Sequence, residues 1–195
     1  MDSNNKSWAI AIELLKKEEP AGAFFALSRL AAGGDASAYA PLGYLYELGG
    51  VGFPREPEKA LYWYRRAVAE IDDEIAHAGL GRMYYNGVDG KKDFSKAFFH
   101  CTRAPNDPIS WVLLGAMYHG GITVGKDLDK ARQYYARAIE QGYLLPLQFL
   151  GQLEMESGHF FKGLAMRLRS TFLAGIIAYR NPNDERLQGA YIERV

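Results

Sequence analysis

An all-α array of stacked antiparallel helix pairs, an α-solenoid, is the fold class the sequence predicts, and three observations predict it. A short pattern, Leu42-Gly43-x-x-Tyr46, returns as Leu80-Gly81-x-x-Tyr84, as Leu114-Gly115-x-x-Tyr118, and in degenerate form as Leu150-Gly151-x-x-Glu154. A second pattern follows the first three in phase: Lys59-Ala60, Lys96-Ala97 and Lys130-Ala131, with a further alanine two helical turns on at Ala67, Ala104 and Ala138. Glycine-rich connectors separate the two patterns at Gly49 to Pro54, Gly87 to Gly90 and Gly120 to Gly125. A period of roughly 35 residues is that of a stacked helical array, not of one closed fold.

Each element has a physical reason. Residues 8–17 and 20–32 read as a first helix pair, 8–34, broken at Pro20 and stopped by Gly33-Gly34-Asp35. Leu42 and Tyr46 share a helical face, and Gly43 between them lets a neighbouring helix approach. On the next helix Ala60 and Ala67 are aligned, with Trp63 and Tyr64 supplying bulk. Glu56, Asp93 and Asp127 stand three residues before each lysine, where a carboxylate caps the following helix. The repeats therefore run 36–70, 74–104 and 108–142. A degenerate repeat or cap follows at 145–180, then a tail helix at 181–195, the whole forming a single helical-repeat domain. Within the cap, Leu164, Leu168 and Phe172 recur on one helical face, and such a helix is expected to bury them.

These motifs resemble the Sel-one-like repeat family, relatives of tetratricopeptide repeats with a longer glycine-rich loop inside the helix pair. Trp111-x-x-Leu114-Gly115-x-x-Tyr118 also satisfies the tetratricopeptide pattern for a first helix. The sequence departs from the family where His100 and Cys101 replace the aromatic pair of the second repeat and Glu154 replaces the fourth tyrosine. The resemblance implies a protein-interaction adaptor or scaffold that binds a peptide or protein segment in a concave groove lined by the first helices of the pairs. The positions one and four residues after each repeat glycine are expected to face that groove: Tyr44 and Glu47, Arg82 and Tyr85, Ala116 and His119, Gln152 and Met155.

Composition narrows the alternatives. Lys plus Arg equals Asp plus Glu at 23 each, so no net field steers the chain to nucleic acid or an anionic surface, and neither partner is expected. The polar N-terminus and the short apolar run at Phe172 to Tyr179 suggest a cytoplasmic chain without a spanning helix. Cys101, the single cysteine, excludes an internal disulfide and is read as a small buried hydrophobe. No cofactor or metal is expected, because His77, His100, His119 and His159 lack ligand spacing. The runner-up functions are an enzyme or binding protein for cell-wall or sugar-type ligands, with Glu47 and Glu154 as a loose acid pair, and a self-assembling module joined through the C-terminal helix.

Overall fold

The computed structural model describes Glu13, residues 20–88 and residues 91–180. The expected helix at 8–17 and the tail helix at 181–195 lie outside the described residues. Helices α1 (Pro20–Ala32), α2 (Tyr39–Leu48), α3 (Pro57–Ile71), α4 (Glu74–Asn86), α5 (Phe94–Thr102), α6 (Pro108–Gly120), α7 (Leu128–Glu140), α8 (Leu145–Glu156) and α9 (Phe160–Arg180) account for the regular structure, and no strand occurs among the described residues. The packing divides into two compact units, Met1–Lys91 and Lys92–Val195.

In the first unit α1 contributes Ala23, Leu27 and Ala31, spaced four apart and all buried. Gly34 takes a left-handed φ of 84° after α1. Asp35 then accepts hydrogen bonds from Ser37 N and Ser37 Oγ, starting a short turn of 3-10 helix, Ala36–Ala38. The centre of the unit is Tyr64 of α3, fully buried between α2 and α4. Its ring lies so close to Gly43 that a methyl group there would stand 2.9 Å from it, and Gly79 meets the same ring from α4. Burying one such aromatic stabilises the unit by about 1.5–3 kcal/mol, and both glycines are needed to admit it. Trp63 lies to one side, against Tyr39 at a centroid distance of 5.3 Å.

The connectors are closed in the same way in the first and third repeats. Glu56 N donates to Tyr46 O at 2.8 Å, and Asp127 N donates to Tyr118 O at 3.0 Å. The lysine of each Lys-Ala pair then covers the same tyrosine, Lys59 at 5.3 Å from the Tyr46 ring centre and Lys130 at 5.0 Å from that of Tyr118. Asp93 and Asp127 cap as expected, accepting from Lys96 N and Lys130 N at 2.9 Å. Glu56 does not: its longer side chain forms no cap bond and pairs with Lys59 Nζ instead. Asp73 and Asp107 cap α4 and α6 through Ala76 N and Ser110 N.

In the second unit Tyr135 of α7 repeats the role of Tyr64, its ring against Gly115 of α6, where a methyl group would stand 2.6 Å away. Cys101 occupies the corresponding position of α5 and is fully buried. The last pair packs differently. Helix α9 meets α8 through Gly163, set against Gly151, and through Ser170, whose Oγ donates to Leu144 O at 3.1 Å. The expectation that Leu164, Leu168 and Phe172 turn inward is therefore reversed: all three are exposed. Gly163 and Ser170 let the two helix backbones come closer than any large side chain allows, and that stripe takes the interface.

Candidate functional site

Of the residues expected on a groove, Glu47 and Arg82 are brought together in the first unit. Glu47 ends α2 and Arg82 sits in the middle of α4. Arg82 Nε donates to Glu47 Oε1 at 2.7 Å and Arg82 Nη2 to Glu47 Oε2 at 2.6 Å, a two-pronged pair. Both side chains are only about one-seventh exposed, at 15% for Glu47 and 14% for Arg82. Tyr64 Oη donates to the same carboxylate at 2.9 Å, and Arg55 Nε donates to the Glu47 carbonyl. Burial, then the Glu47 charge, push the Tyr64 hydroxyl well above the usual phenol range, so it remains a donor. Truncating one partner of such a pair leaves the other charge unanswered, which costs more than the pair itself contributes.

Tyr44 is half-buried against the core of this unit. Tyr85 is a correction: it is 2% exposed and presents no surface to a partner. Glu47 and His119 show that the fourth position after the repeat glycine is a partly covered ridge. A polar group there keeps its tip in water, while the large apolar ring of Tyr85 is drawn inside.

The second unit joins His119 of α6 and Gln152 of α8 through a residue the sequence reading passed over. Glu156 accepts from Gln152 Nε2 at 3.0 Å, lies 3.0 Å from His119 Nε2, and has Lys126 Nζ at 3.8 Å. The hydrogen bond from His119 and then that from Gln152 hold the Glu156 carboxyl below the usual range. The His119 ring also stands edge-on to Tyr135 at 6.3 Å. Gln152 is exposed, and Ala116 and Met155 are half-buried.

A third constellation was also missed. Glu154, at the motif's tyrosine position, is buried with its side chain 2% exposed. Arg132 Nε donates to its Oε1 at 2.9 Å, while His159 Nδ1 and Lys162 Nζ lie 3.1 and 3.2 Å from its Oε2. Burial opposes the charge, but Arg132 and Lys162 outweigh it and hold the carboxyl below the ordinary range. A glycosidase acid needs the opposite shift, and Glu47 is likewise taken up by its arginine, so neither residue is arranged as the proton donor of an acid pair. The signal available in sequence was a charged residue at a position that packing reserves for an aromatic.

His77 lies 3.0 Å from Asp72 Oδ1, and His100 stands edge-on to Phe99. Among the described residues, no three His, Cys, Asp or Glu side chains converge as metal ligands. No described helix is long and apolar enough to cross a membrane.

The Sel1 repeat family model matches residues 36–70, 75–104 and 112–143. A crystal structure of a Sel1 repeat protein from Oxalobacter formigenes is similar at a TM-score of 0.63 and 24% identity, covering 95% of this chain and 82% of that one. A second similar structure is a protective antigen, c5321, present in uropathogenic Escherichia coli strains and displaying an SLR fold. Its TM-score is 0.66 at 22% identity, over 96% of this chain and 44% of that one, so the chain spans less than half the antigen's length. No curated protein matches the chain.

Proposed function

Because the chain belongs to the Sel1 repeat family, whose members are generally helical-repeat scaffolds for protein interaction, we propose that it binds a protein or peptide segment on the first helices of its repeats. One observation carries this reading. In each unit, polar residues at the positions just beyond the buried Leu-Gly core of successive repeats meet across neighbouring first helices: Glu47 with Arg82, and His119 with Gln152 through Glu156. The backbone beneath Glu47, Arg82 and His119 is fixed by glycine-aromatic packing, and that beneath Gln152 by the close approach of Gly151 and Gly163, so these groups are presented at low entropic cost. Arg82 and Glu156 already hold planar, charge-assisted contacts that a partner's carboxylate, amide or guanidinium group matches. Tyr44 and Gln152 border them and supply contact area.

The test is affinity capture with the immobilised full chain, wild type against a Tyr44→Ala, Gln152→Ala double variant and against Arg82→Lys, which keeps the charge but loses the two-pronged geometry. A protein retained by wild type and lost from both variants, at unchanged helical spectrum, supports the face. A partner held equally by all three moves the binding surface elsewhere.

A further inference from the structure

The outward face of α9 carries a run of exposed large apolar side chains that the repeat packing does not use. Phe161, Leu168 and Phe172 are 83%, 63% and 69% exposed, with Leu164 and Ile176 beside them. At about 100° per residue, positions 161, 164, 168 and 172 fall within a strip roughly 80° wide. Gly175, in the same strip, has open space above it. Soluble surfaces rarely display a continuous apolar strip of this kind without an occupant.

The charges bordering the strip say which occupant. Helix α9 contains Lys162, Arg167, Arg169 and Arg180 and no acidic residue over its whole length. Lys162 and Arg169 lie along one edge of the strip and Arg167 along the other, and all three are exposed. Lys162 is tied to Glu154, while Arg167 and Arg169 form no ion pair among the described residues. An apolar ridge between cationic edges is the arrangement of a helix lying in the interfacial plane of a bilayer, its phenylalanines and leucines among the acyl chains and its cations at the headgroups. We infer that α9 docks this chain peripherally on an anionic lipid surface.

The same features speak against other occupants. Two copies meeting through this face would set arginine against arginine with no carboxylate on either helix to answer them. A partner helix is received in a groove, whereas Phe161, Leu168 and Phe172 stand up as a ridge. Zero net charge over the whole chain gives no reason to expect an anionic surface, but the packing through Gly163 and Ser170 leaves this one helix with an exposed apolar strip between cationic edges.

The experiment is cosedimentation of the full chain with vesicles of phosphatidylcholine alone and of phosphatidylcholine mixed with phosphatidylserine. Binding is expected to the mixed vesicles only and to fall as salt is raised. Leu168→Glu with Phe172→Glu, both outward and so without effect on melting, is expected to abolish it. Arg169→Gln is expected to weaken it about fivefold. A chain that stays in solution with the mixed vesicles, binds neutral ones equally, or binds unchanged in the double variant overturns the assignment. So does a concentration-dependent dimer, seen by light scattering, that Phe172→Glu disrupts, since the face then belongs to a second copy.

Discussion

In the first repeat the second helix sends its bulk inward: Tyr64 of α3 fills the space that Gly43 and Gly79 leave open, and its hydroxyl reaches the Glu47 carboxylate. In the last pair the second helix sends its smallest residues inward, Gly163 and Ser170 of α9 against α8, and turns its phenylalanines out. Both pairs place a glycine on the first helix, Gly43 and Gly151, at the same position of the motif. A repeat glycine therefore permits close approach without dictating what approaches, and the partner helix decides whether the contact is an aromatic plug or a backbone-to-backbone seam. The aromatic plug leaves Tyr62 and Ile71 as the exposed large apolar residues of α3, whereas the seam leaves the whole strip of Phe161, Leu164, Leu168 and Phe172 outside.

The strongest way to break this contrast is to remove the plug. Tyr64→Ala is expected to destabilise the first unit by about 3–5 kcal/mol in urea unfolding, through lost ring burial and an unfilled cavity. Tyr64→Phe keeps the ring and loses only the bond to Glu47, about 1 kcal/mol, and a larger loss would mean that the hydroxyl organises the Glu47–Arg82 pair.

Gly163→Ala attacks the seam. A methyl group there runs into the Gly151 carbonyl oxygen, which is backbone and cannot swing aside. The expected cost is about 2–3 kcal/mol, reduced by up to about 1 kcal/mol through alanine's better helix propensity. An unchanged melting temperature would show that α8 and α9 do not meet at this glycine.

Glu154 supplies a pH test of the second unit. Its folded value is lowered, so its contribution to stability is complete above the ordinary carboxylate range and is lost as pH falls through the lowered value. Stability of the second unit should accordingly decline on the acid side, and decline less steeply in Glu154→Gln. Asp93, Asp127 and Glu156, also lowered, leave a residual slope in that variant. At neutral pH the substitution should cost about 1–2 kcal/mol, because Arg132 keeps Asp129 and the exposed Lys162 re-enters water. Identical acid-denaturation curves for the two proteins would remove Glu154 from this role. The smallest effect belongs to the cation over the motif tyrosine: Lys130→Gln should lower stability by less than about 1 kcal/mol, measured by thermal melting.

Much of this was legible in the sequence, and the residues that were not share a cause. Gly43, Gly115 and the Lys-Ala helices could be read because each repeats, and repetition of a small residue opposite an aromatic has one packing solution. Glu47 and Arg82 were placed on the expected helices, but their engagement with each other was invisible, since no local pattern records which residues of successive repeats face across a helix pair. Tyr85 was misread because the same register holds polar side chains at the edge and draws an aromatic ring inside. The orientation of α9 was misread because its sequence carries two stripes, one apolar and one small, and the choice between them depends on Gly151 of the neighbouring helix. Glu154 stands at a motif position, but its partners Arg132, His159 and Lys162 lie on other elements and follow no repeat, and Glu156 falls outside the pattern altogether.

The bond from Glu56 N to Tyr46 O, and its counterpart from Asp127 N to Tyr118 O, fastens each connector at its base, and in the first Phe53 is anchored in the core against Phe24, so that only the tip stands free. Val51, at the tip of the first, is 87% exposed. Such a clasp uncouples the length of a connector from the stability of the helices it joins. The tips become the places where this scaffold accepts added sequence, an epitope or a fluorophore loop, without disturbing the layers beneath.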